Sequence, residues 1–345
     1  MNSSHRSGRV RRLTGLTALA VLASSALTGC GGATAGSADR AEGHALTIGL
    51  TYVPNIQFAP FYAAQSLGYY KDAGLTVNLR HHSFTDAQFG ALAAGQEDVV
   101  FAGGDEMLQA RSQSVPIVDI ATLYNRYPAA VMVRADSPVK EPADLKGRTV
   151  GTPGPYGETY FALLAVLESA GLSASDVQVQ NIGFTQQAAL VGNKVDAVTG
   201  YLNNDAVQFA QSGTAVRTIQ PAGSASSLPL VAAGLGASRT VLTNRSADLK
   251  AFVAATLKGV QYTVDHPDQA VDLSKKFIPG LDDAKKQADA LAVLKETVPL
   301  LQSSGTKPGY NDPAVWDRME EFMRTHGLLT KPVTAQEAFD NSLLP

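Results

Sequence analysis

The feature that most limits how this chain can fold is a regular alternation of short apolar segments with helical patterns, running from Leu46 to Leu235. Strands that alternate with helices indicate an α/β architecture, because parallel neighbours need a crossover connection that a helix usually supplies. From Asp248 onward the chain shows helical patterns only. We therefore predict mainly parallel sheets flanked by helices. The predicted strands lie at residues 45–50, 75–79, 98–102, 118–123, 129–133, 148–152, 177–181, 196–200, 214–219 and 228–235.

The amount of chain is sufficient for two lobes. The predicted folded part is about twice the usual length of one domain, and 45% of all residues are hydrophobic. A formal net charge of −3 gives no basic surface of the kind that binds nucleic acid. Turn-forming residues at 135–138 mark one crossing between lobes, and the apolar run at 228–235 marks the return. We predict lobe 1 at residues 45–134 and 236–345, and lobe 2 at residues 135–235.

The N-terminal segment carries the pattern of an export signal. A basic stretch precedes the apolar run Leu13–Leu27, which is shorter than the roughly 20 residues of a membrane-spanning helix. Leu27-Thr28-Gly29-Cys30 resembles a bacterial lipobox, and Cys30 is the only cysteine, so an intrachain disulfide is excluded. We predict a lipoprotein signal peptide at residues 1–30, a lipid on Cys30 and a flexible tether at residues 31–44. These features place the protein on the extracytoplasmic face of the cell membrane.

Several segments resemble one family of binding proteins. Tyr52–Gln65 and Leu67–Leu75 are similar to the opening of periplasmic-type binding proteins for thiamine-pyrimidine precursors, sulfonates and nitrate. Residues 92–99, 144–151 and 192–197 resemble later segments of the same proteins. The resemblance implies a type II periplasmic-binding-protein fold, in which two lobes enclose a ligand cleft. It also implies the solute-binding lipoprotein of an ABC transporter, a monomer that works with a membrane permease and an ATPase.

The same family contains a fungal enzyme that makes the thiamine pyrimidine with iron, one of its own histidines and a cysteine-rich motif. This chain has one cysteine and no histidine between Tyr52 and Pro60. The adjacent His81 and His82 point to opposite faces of a strand, so a solvated strand end fits them better than a metal site. We expect no enzyme activity, no cofactor and no metal. A pyrimidine-synthase-like enzyme and a ligand-sensing lipoprotein are the alternatives from other classes.

Candidate ligand-binding residues follow the strands, because ligands of α/β proteins bind beyond the carboxyl ends of strands. Four loops and one segment near the hinge combine aromatic rings, amides and carboxylates. The candidates are Tyr52, Asn55, Gln57, Phe58, Asp105, Glu106, Tyr124, Asn125, Tyr156, Glu158, Tyr201, Asn203, Asn204 and Asp205. Capping or favourable charge at a helix start is the alternative role for Asn55, Gln57, Asp105, Glu106 and Glu158.

The chemistry of these loops selects a ligand class. The four loops contain no lysine or arginine, which nitrate or a sulfonate would need to offset desolvation. Carboxylates and tyrosines suit a flat heteroaromatic ring with amino groups, so we predict an aminopyrimidine thiamine precursor of the hydroxymethylpyrimidine type. Riboflavin is the alternative with a larger ring. Arg126, next to Tyr124 and Asn125, keeps sulfonate or nitrate as a further alternative.

Overall fold

The computed structural model describes residues 44–83, 87–221, 228–303, 305 and 307–345. Residues Glu42–Pro345 form one compact unit. The predicted export signal, the lipobox with Cys30 and the tether up to residue 43 lie outside the described residues. No helix within the described ranges is long and apolar enough to cross a membrane.

Among the residues described, the first sheet contains five strands: β1 (Ala45–Leu50), β2 (Thr76–His81), β3 (Val99–Gly103), β4 (Ile117–Thr122) and β10 (Ala233–Ser238). Their order is β2-β1-β3-β10-β4. β1 pairs in parallel with β2 and β3, whereas β10 pairs antiparallel with both β3 and β4. Four strands therefore point one way, and the strand that returns from the second sheet points the other way.

The second sheet repeats this plan with β5 (Ala129–Arg134), β6 (Thr149–Thr152), β7 (Gln178–Asn181), β8 (Ala197–Tyr201) and β9 (Val216–Ile219). The order is β7-β6-β8-β5-β9, with β6 parallel to β7 and β8, and β5 antiparallel to β8 and β9. Here the antiparallel strand is the one that enters from the first sheet. The predicted α/β class is confirmed, and both sheets are mixed.

One strand lies in a different sheet from the one that the expected lobe boundaries give it, and another crosses an expected boundary. β5 falls within the expected lobe 1 but pairs in the second sheet. β10 straddles the boundary at residue 235 and pairs in the first sheet, to which the run at 228–235 is predicted to return. Both strands are buried on both faces. Such continuous burial gives an apolar run that fits a central position in either sheet, so the sequence pattern does not show which sheet a strand joins.

Twelve helices cover the sheets within the described residues. They are α1 (Ala59–Ser66), α2 (Tyr69–Asp72), α3 (Gly90–Ala93), α4 (Gly104–Ser112), α5 (Gly157–Glu168), α6 (Gln186–Val191), α7 (Asp205–Gln211), α8 (Arg239–Asn244), α9 (Ser246–Asp265), α10 (Pro267–Ser274), α11 (Ala284–Leu301) and α12 (Pro313–Thr325). We use lobe 1 for the first sheet with α1–α4 and α8–α12, and lobe 2 for the second sheet with α5–α7.

The core extends across the two lobes. Trp316 of α12 and Phe252 of α9 are fully buried in the main cluster of lobe 1, and Phe161 and Leu164 of α5 belong to the same cluster. Helix α5 therefore packs against α4, with which it is in contact. This packing brings the N-termini of α4 and α5 to the gap between the sheets.

Candidate binding site between the lobes

A cavity of about 510 Å³ lies between the two sheets. Its walls come from the segments that follow β1, β3, β6 and β8, which are the carboxyl ends of parallel strands in both sheets. A larger cavity of about 770 Å³ lies on lobe 1 and is lined by exposed residues such as Lys258 and Lys307. We treat the cavity between the sheets as the candidate site, because both lobes and buried ionisable groups line it.

Most of the predicted site residues line this cavity. They are Tyr52, Gln57, Phe58, Glu106, Tyr124, Tyr156, Glu158, Tyr201, Asn203, Asn204 and Asp205. These residues come from five separate segments of the chain, namely the four loops and the segment near the hinge that contains Tyr124. Arg126 lies instead in the larger cavity on lobe 1. Among the described lining residues of the central cavity there is no lysine or arginine, in agreement with the composition of the loops.

Three predicted residues lie outside the cavity lining. Asn55 caps the short 3₁₀ helix Ile56–Phe58, where its Oδ1 accepts a hydrogen bond of 3.1 Å from the amide of Gln57. Asn125 donates from Nδ2 to the carbonyl of Leu301, 3.1 Å away, and so ties the crossing segment to the end of α11. Asp105 is fully buried beneath the cavity. Sequence reasoning cannot separate these positions from the lining, because each follows a strand end just as the lining residues do.

A cluster of three carboxyl groups forms where α4 meets α5. Asp105 and Glu106 lie in the first turn of α4, and Glu158 lies in the first turn of α5. The Tyr127 hydroxyl, on the segment that crosses between the sheets, donates to Asp105 Oδ2 and lies 3.0 Å from the carbonyl oxygen of Glu158. Glu106 Oε2 accepts from the amide of Gly103 at 3.1 Å, so Glu106 both caps its own helix and lines the cavity.

The pKa values of all three carboxyl groups are raised. Burial is the largest cause for Asp105, Glu106 and Glu158, and repulsion from neighbouring carboxylates adds to it at Asp105 and Glu158. A raised pKa favours the protonated form of each carboxyl group over the ionised form. A protonated member can donate a hydrogen bond, while an ionised member can only accept. The cluster therefore offers both donors and acceptors to a ligand.

Glu158 presents a buried atom without a partner. Its Oε2 accepts a hydrogen bond of 2.9 Å from the Tyr201 hydroxyl, whereas Oε1 has no hydrogen-bond partner among the described residues. Oε1 lies so close to Gly103 that a Cβ at Gly103 would be 2.9 Å away. Buried polar atoms are normally hydrogen-bonded, so an unpaired carboxyl oxygen in a cavity wall marks a position that a ligand can satisfy.

Aromatic rings line both sides of the cavity. Lobe 1 and the crossing segment contribute Tyr52, Phe58, Phe101 and Tyr124; lobe 2 contributes Tyr156, Phe184 and Tyr201. Phe101 fixes its neighbours by edge-to-face contacts, with ring centroids 6.0 Å from Phe58 and 5.8 Å from Tyr124. On the other side, Tyr156 and Phe184 are 58% and 61% exposed, which is unusual for such large rings. A flat ring system can stack between these two sides.

Several lining residues escaped the sequence analysis, including His82, Ser83, Gln88, Phe101, Phe184 and Gln186. The expectation that the histidine pair is a solvated strand end is wrong for His82, which is buried and has Nε2 2.7 Å from Glu97 Oε1. Phe184 and Gln186 follow β7, so the strand-end rule, applied to that strand as well, would have found them. Within the described ranges no group of histidine, cysteine or acidic residues is arranged to hold a metal ion.

Comparison with solved structures supports the fold. The periplasmic aliphatic sulphonate binding protein SsuA from Escherichia coli superposes with a TM-score of 0.69 over 86% of this chain and 97% of SsuA. The two sequences are only 19% identical, so this likeness concerns the fold alone. The architecture is thus that of a periplasmic binding protein.

Comparison with known sequences identifies the family. A riboflavin-binding protein, RibY of Chloroflexus aurantiacus, is 39% identical over 307 residues, covering 87% of this chain and 86% of RibY. A formylaminopyrimidine-binding protein of Halalkalibacterium halodurans is 26% identical over 85% of this chain and 88% of its own length. A 4-amino-5-hydroxymethyl-2-methylpyrimidine phosphate synthase of Legionella pneumophila is 21% identical over 87% of this chain and 92% of its own length. The NMT1/THI5-like family profile matches residues 55–270, so the chain belongs to the NMT1/THI5-like family.

Proposed function

We propose that this protein is the solute-binding component of an ABC importer and that its ligand is a flavin of the riboflavin type. The observation that carries the proposal is the cavity between the lobes, which combines aromatic walls on both sides with a buried carboxyl cluster. Its described lining residues include no lysine or arginine. At about 510 Å³ the cavity has room for a fused ring system, within the roughly 300–1,000 Å³ that is typical of sites for drug-sized ligands.

The polar groups of the cavity match the hydrogen-bonding edge of a flavin ring. That edge presents one N–H donor between two carbonyl acceptors. A carboxylate accepts from such an N–H, and a protonated carboxyl or a tyrosine hydroxyl donates to a carbonyl. Glu158 supplies such a group on one side of the cavity through its unpaired Oε1, while its Oε2 is held by the Tyr201 hydroxyl. The 39% identity to a riboflavin-binding protein supports the same ligand.

An aminopyrimidine is the second candidate, as the sequence analysis predicted. The carboxyl cluster favours it, because a carboxyl group can pair with an amino group and the adjacent ring nitrogen together. The likeness to a formylaminopyrimidine-binding protein also supports it. A single ring would fill less of the cavity and leave more of the aromatic wall uncovered. An anion such as nitrate or a sulfonate lacks support, because Arg126 does not line the cavity.

Closure of the lobes over the ligand is the proposed mechanism. Contacts already join the lobes around the cavity: Tyr127 reaches both helix starts, and Asn203 Nδ2 donates to Thr297 Oγ1 at 3.0 Å. A ligand that contacts both lobes stabilises the closed form relative to the open one. The closed form then docks on the permease, whose ATPase drives release of the ligand to the membrane channel.

We also propose that a lipid on Cys30 holds the mature protein, as a monomer, on the extracytoplasmic face of the membrane, and that the protein catalyses no reaction. The lipobox and the likeness to binding proteins support this role. Because the family also contains synthases, the contrasting hypothesis is that this protein is an enzyme. Turnover of a bound ligand would favour a synthase-like enzyme, whereas signalling without a permease partner would favour a sensing lipoprotein.

A thermal-shift and calorimetry screen tests the proposal. The chain from residue 31 onward is mixed with riboflavin, aminopyrimidine thiamine precursors, thiamine, alkanesulfonates and nitrate. A ligand that binds only the folded state raises the melting temperature. Stabilisation by riboflavin supports the proposal, and stabilisation by an aminopyrimidine alone selects the second candidate. A response only to anions contradicts the chemistry of the cavity.

A further inference from the structure

We propose that a second, smaller cavity beside the candidate site is the subsite for a hydroxylated chain attached to the ligand ring. This side chamber, as we call it, has a volume of about 230 Å³. The inference rests on the proposed function, since it concerns the part of a flavin-type ligand that extends from the ring. It assigns a ligand-contacting role to Asn55, which lies outside the main cavity.

The side chamber and the main cavity share two wall residues. Asn204 and Gln208 line both spaces, and they lie one turn apart at the start of α7. Gln208 Nε2 donates to Asn204 Oδ1 at 3.0 Å, so the two amides form one unit between the spaces. The two spaces therefore adjoin at these two amides, and a substituent that leaves the ring at this point would reach the side chamber past Asn204 and Gln208.

The lining of the side chamber suits a chain of hydroxyl groups. Polar groups that both donate and accept, or that carry opposite charges, lie beside an apolar wall. The polar residues are Asn55, Asn204, Gln208, Gln211, Lys286 and Asp289. Ile56, Ile278 and Leu281 are among the apolar ones. A hydroxylated carbon chain has the same division, with hydroxyl groups for the amides and C–H groups for the apolar wall. A charged tail would suit it less, because the chamber contains one lysine and one aspartate.

The side chamber lies on the seam between the lobes. Its lobe 1 wall comes from the loop after β1 and from α11, and its lobe 2 wall comes from α7. Inter-lobe hydrogen bonds run beside it, from Gln211 Nε2 to the Asp289 carbonyl at 3.2 Å and from Asn203 Nδ2 to Thr297 Oγ1 at 3.0 Å. A hydroxylated chain bound there would contact both lobes. It would therefore stabilise the closed form, as the ring also does.

The test compares riboflavin with lumiflavin, which has the same ring and a methyl group instead of the hydroxylated chain. Binding of each flavin is measured by quenching of its fluorescence. We expect the protein to bind riboflavin at least about tenfold more tightly, as expected for one or two hydrogen bonds. Ala290→Phe places a ring in the side chamber, because Ala290 lines it. This change should bring the riboflavin affinity close to that of lumiflavin and leave lumiflavin binding within about twofold.

The control is Ala288→Phe, an exposed position on the same helix that lines neither cavity. It should leave both affinities unchanged. Gln208→Leu provides a second variant, which retains the space but removes the amide. Because Gln208 lines both cavities, this variant should lower riboflavin affinity by more than lumiflavin affinity. Equal binding of riboflavin and lumiflavin by the unmodified protein overturns the subsite alone. Binding of neither flavin overturns the proposed ligand and the subsite with it.

Discussion

A methyl group at Gly103 should hold the lobes apart. Gly103 ends β3 in lobe 1 and has φ −63° and ψ 140°, a conformation that alanine adopts freely. A Cβ there would lie 2.9 Å from Cγ and Oε1 of Glu158 in lobe 2, closer than real Cβ contacts allow, and would also clash with Asp105 Oδ1. Asp105 is held by Tyr127 and by the amide of Glu106, 2.7 Å from Oδ1, so its side chain has little freedom to move away. The contact with Glu158 is relieved when lobe 2 moves away, whereas the contact with Asp105 lies within lobe 1 and is the same in the open and closed forms.

The magnitude follows from the cost of overpacking. Adding a methylene to a well-packed site costs about 1–3 kcal/mol. If the closed form bears this cost and the open form does not, Gly103→Ala weakens ligand binding by about 5- to 150-fold. Calorimetry with the ligand found in the screen measures the loss, and small-angle scattering should show a larger radius of gyration with ligand present.

Gly90→Ala is the matched control for this experiment. Gly90 begins α3, lines neither cavity, and would place its Cβ 3.2 Å from Ala87 Cβ in the same segment. Binding should be unchanged in this variant. If Gly103→Ala binds ligand within about twofold of the unmodified protein and its scattering is also unchanged, the close approach of Gly103 and Glu158 does not limit closure.

Three further predictions concern separate features. Glu158→Gln and Asn204→Ala should each weaken ligand binding measured by calorimetry while leaving the unfolding transition largely intact; normal binding by both would refute the proposed site. Burial raises the pKa of Asp119 to about 7, so the native state holds its proton more tightly and the free energy of unfolding falls between about pH 4 and 7. Asp119→Asn should remove up to about 4 kcal/mol of this decrease in the free energy of unfolding. Urea denaturation at several pH values measures the decrease, and an unchanged pH dependence in the variant would contradict the assignment to Asp119. Cys30→Ser should release the protein from membranes into the aqueous phase of a detergent partition, and retention in the detergent phase would exclude the lipid anchor.

Local patterns in the sequence were sufficient for the fold class and much of the site. The alternation of strands and helices predicts an α/β fold. The spacing of apolar residues within each segment shows whether that segment buries one face as a strand or as a helix. The rule that ligands bind beyond strand ends identified Tyr52, Glu106, Glu158 and Tyr201, which all line one cavity. These residues meet in one cavity because their positions depend on the order of elements along the chain and on the direction of each strand, and their role in ligand binding stays a prediction.

Other features depend on which distant elements meet. β5 joins the second sheet and β10 the first, although their apolar sequences fit either one. Asn55 follows the same strand as Tyr52, yet it caps a 3₁₀ helix and faces the side chamber instead of the main cavity. A strand-end pattern predicts which edge of the sheet a residue lies near. The backbone conformation of the loop decides which cavity its side chain lines.

The sequence by itself determined the α/β class, the family, the lack of cations in the predicted loops and the export pattern, because these are written in composition, order and short motifs. Only the tertiary structure decided that Asp105 and Glu158, on helices of different lobes, share one buried cluster through Tyr127. Burial raises the pKa of both groups, and at Asp105 repulsion from Glu106 on the same helix adds to it. At Glu158 the added repulsion comes from Glu106 and Asp105 and arises only when α4 packs against α5.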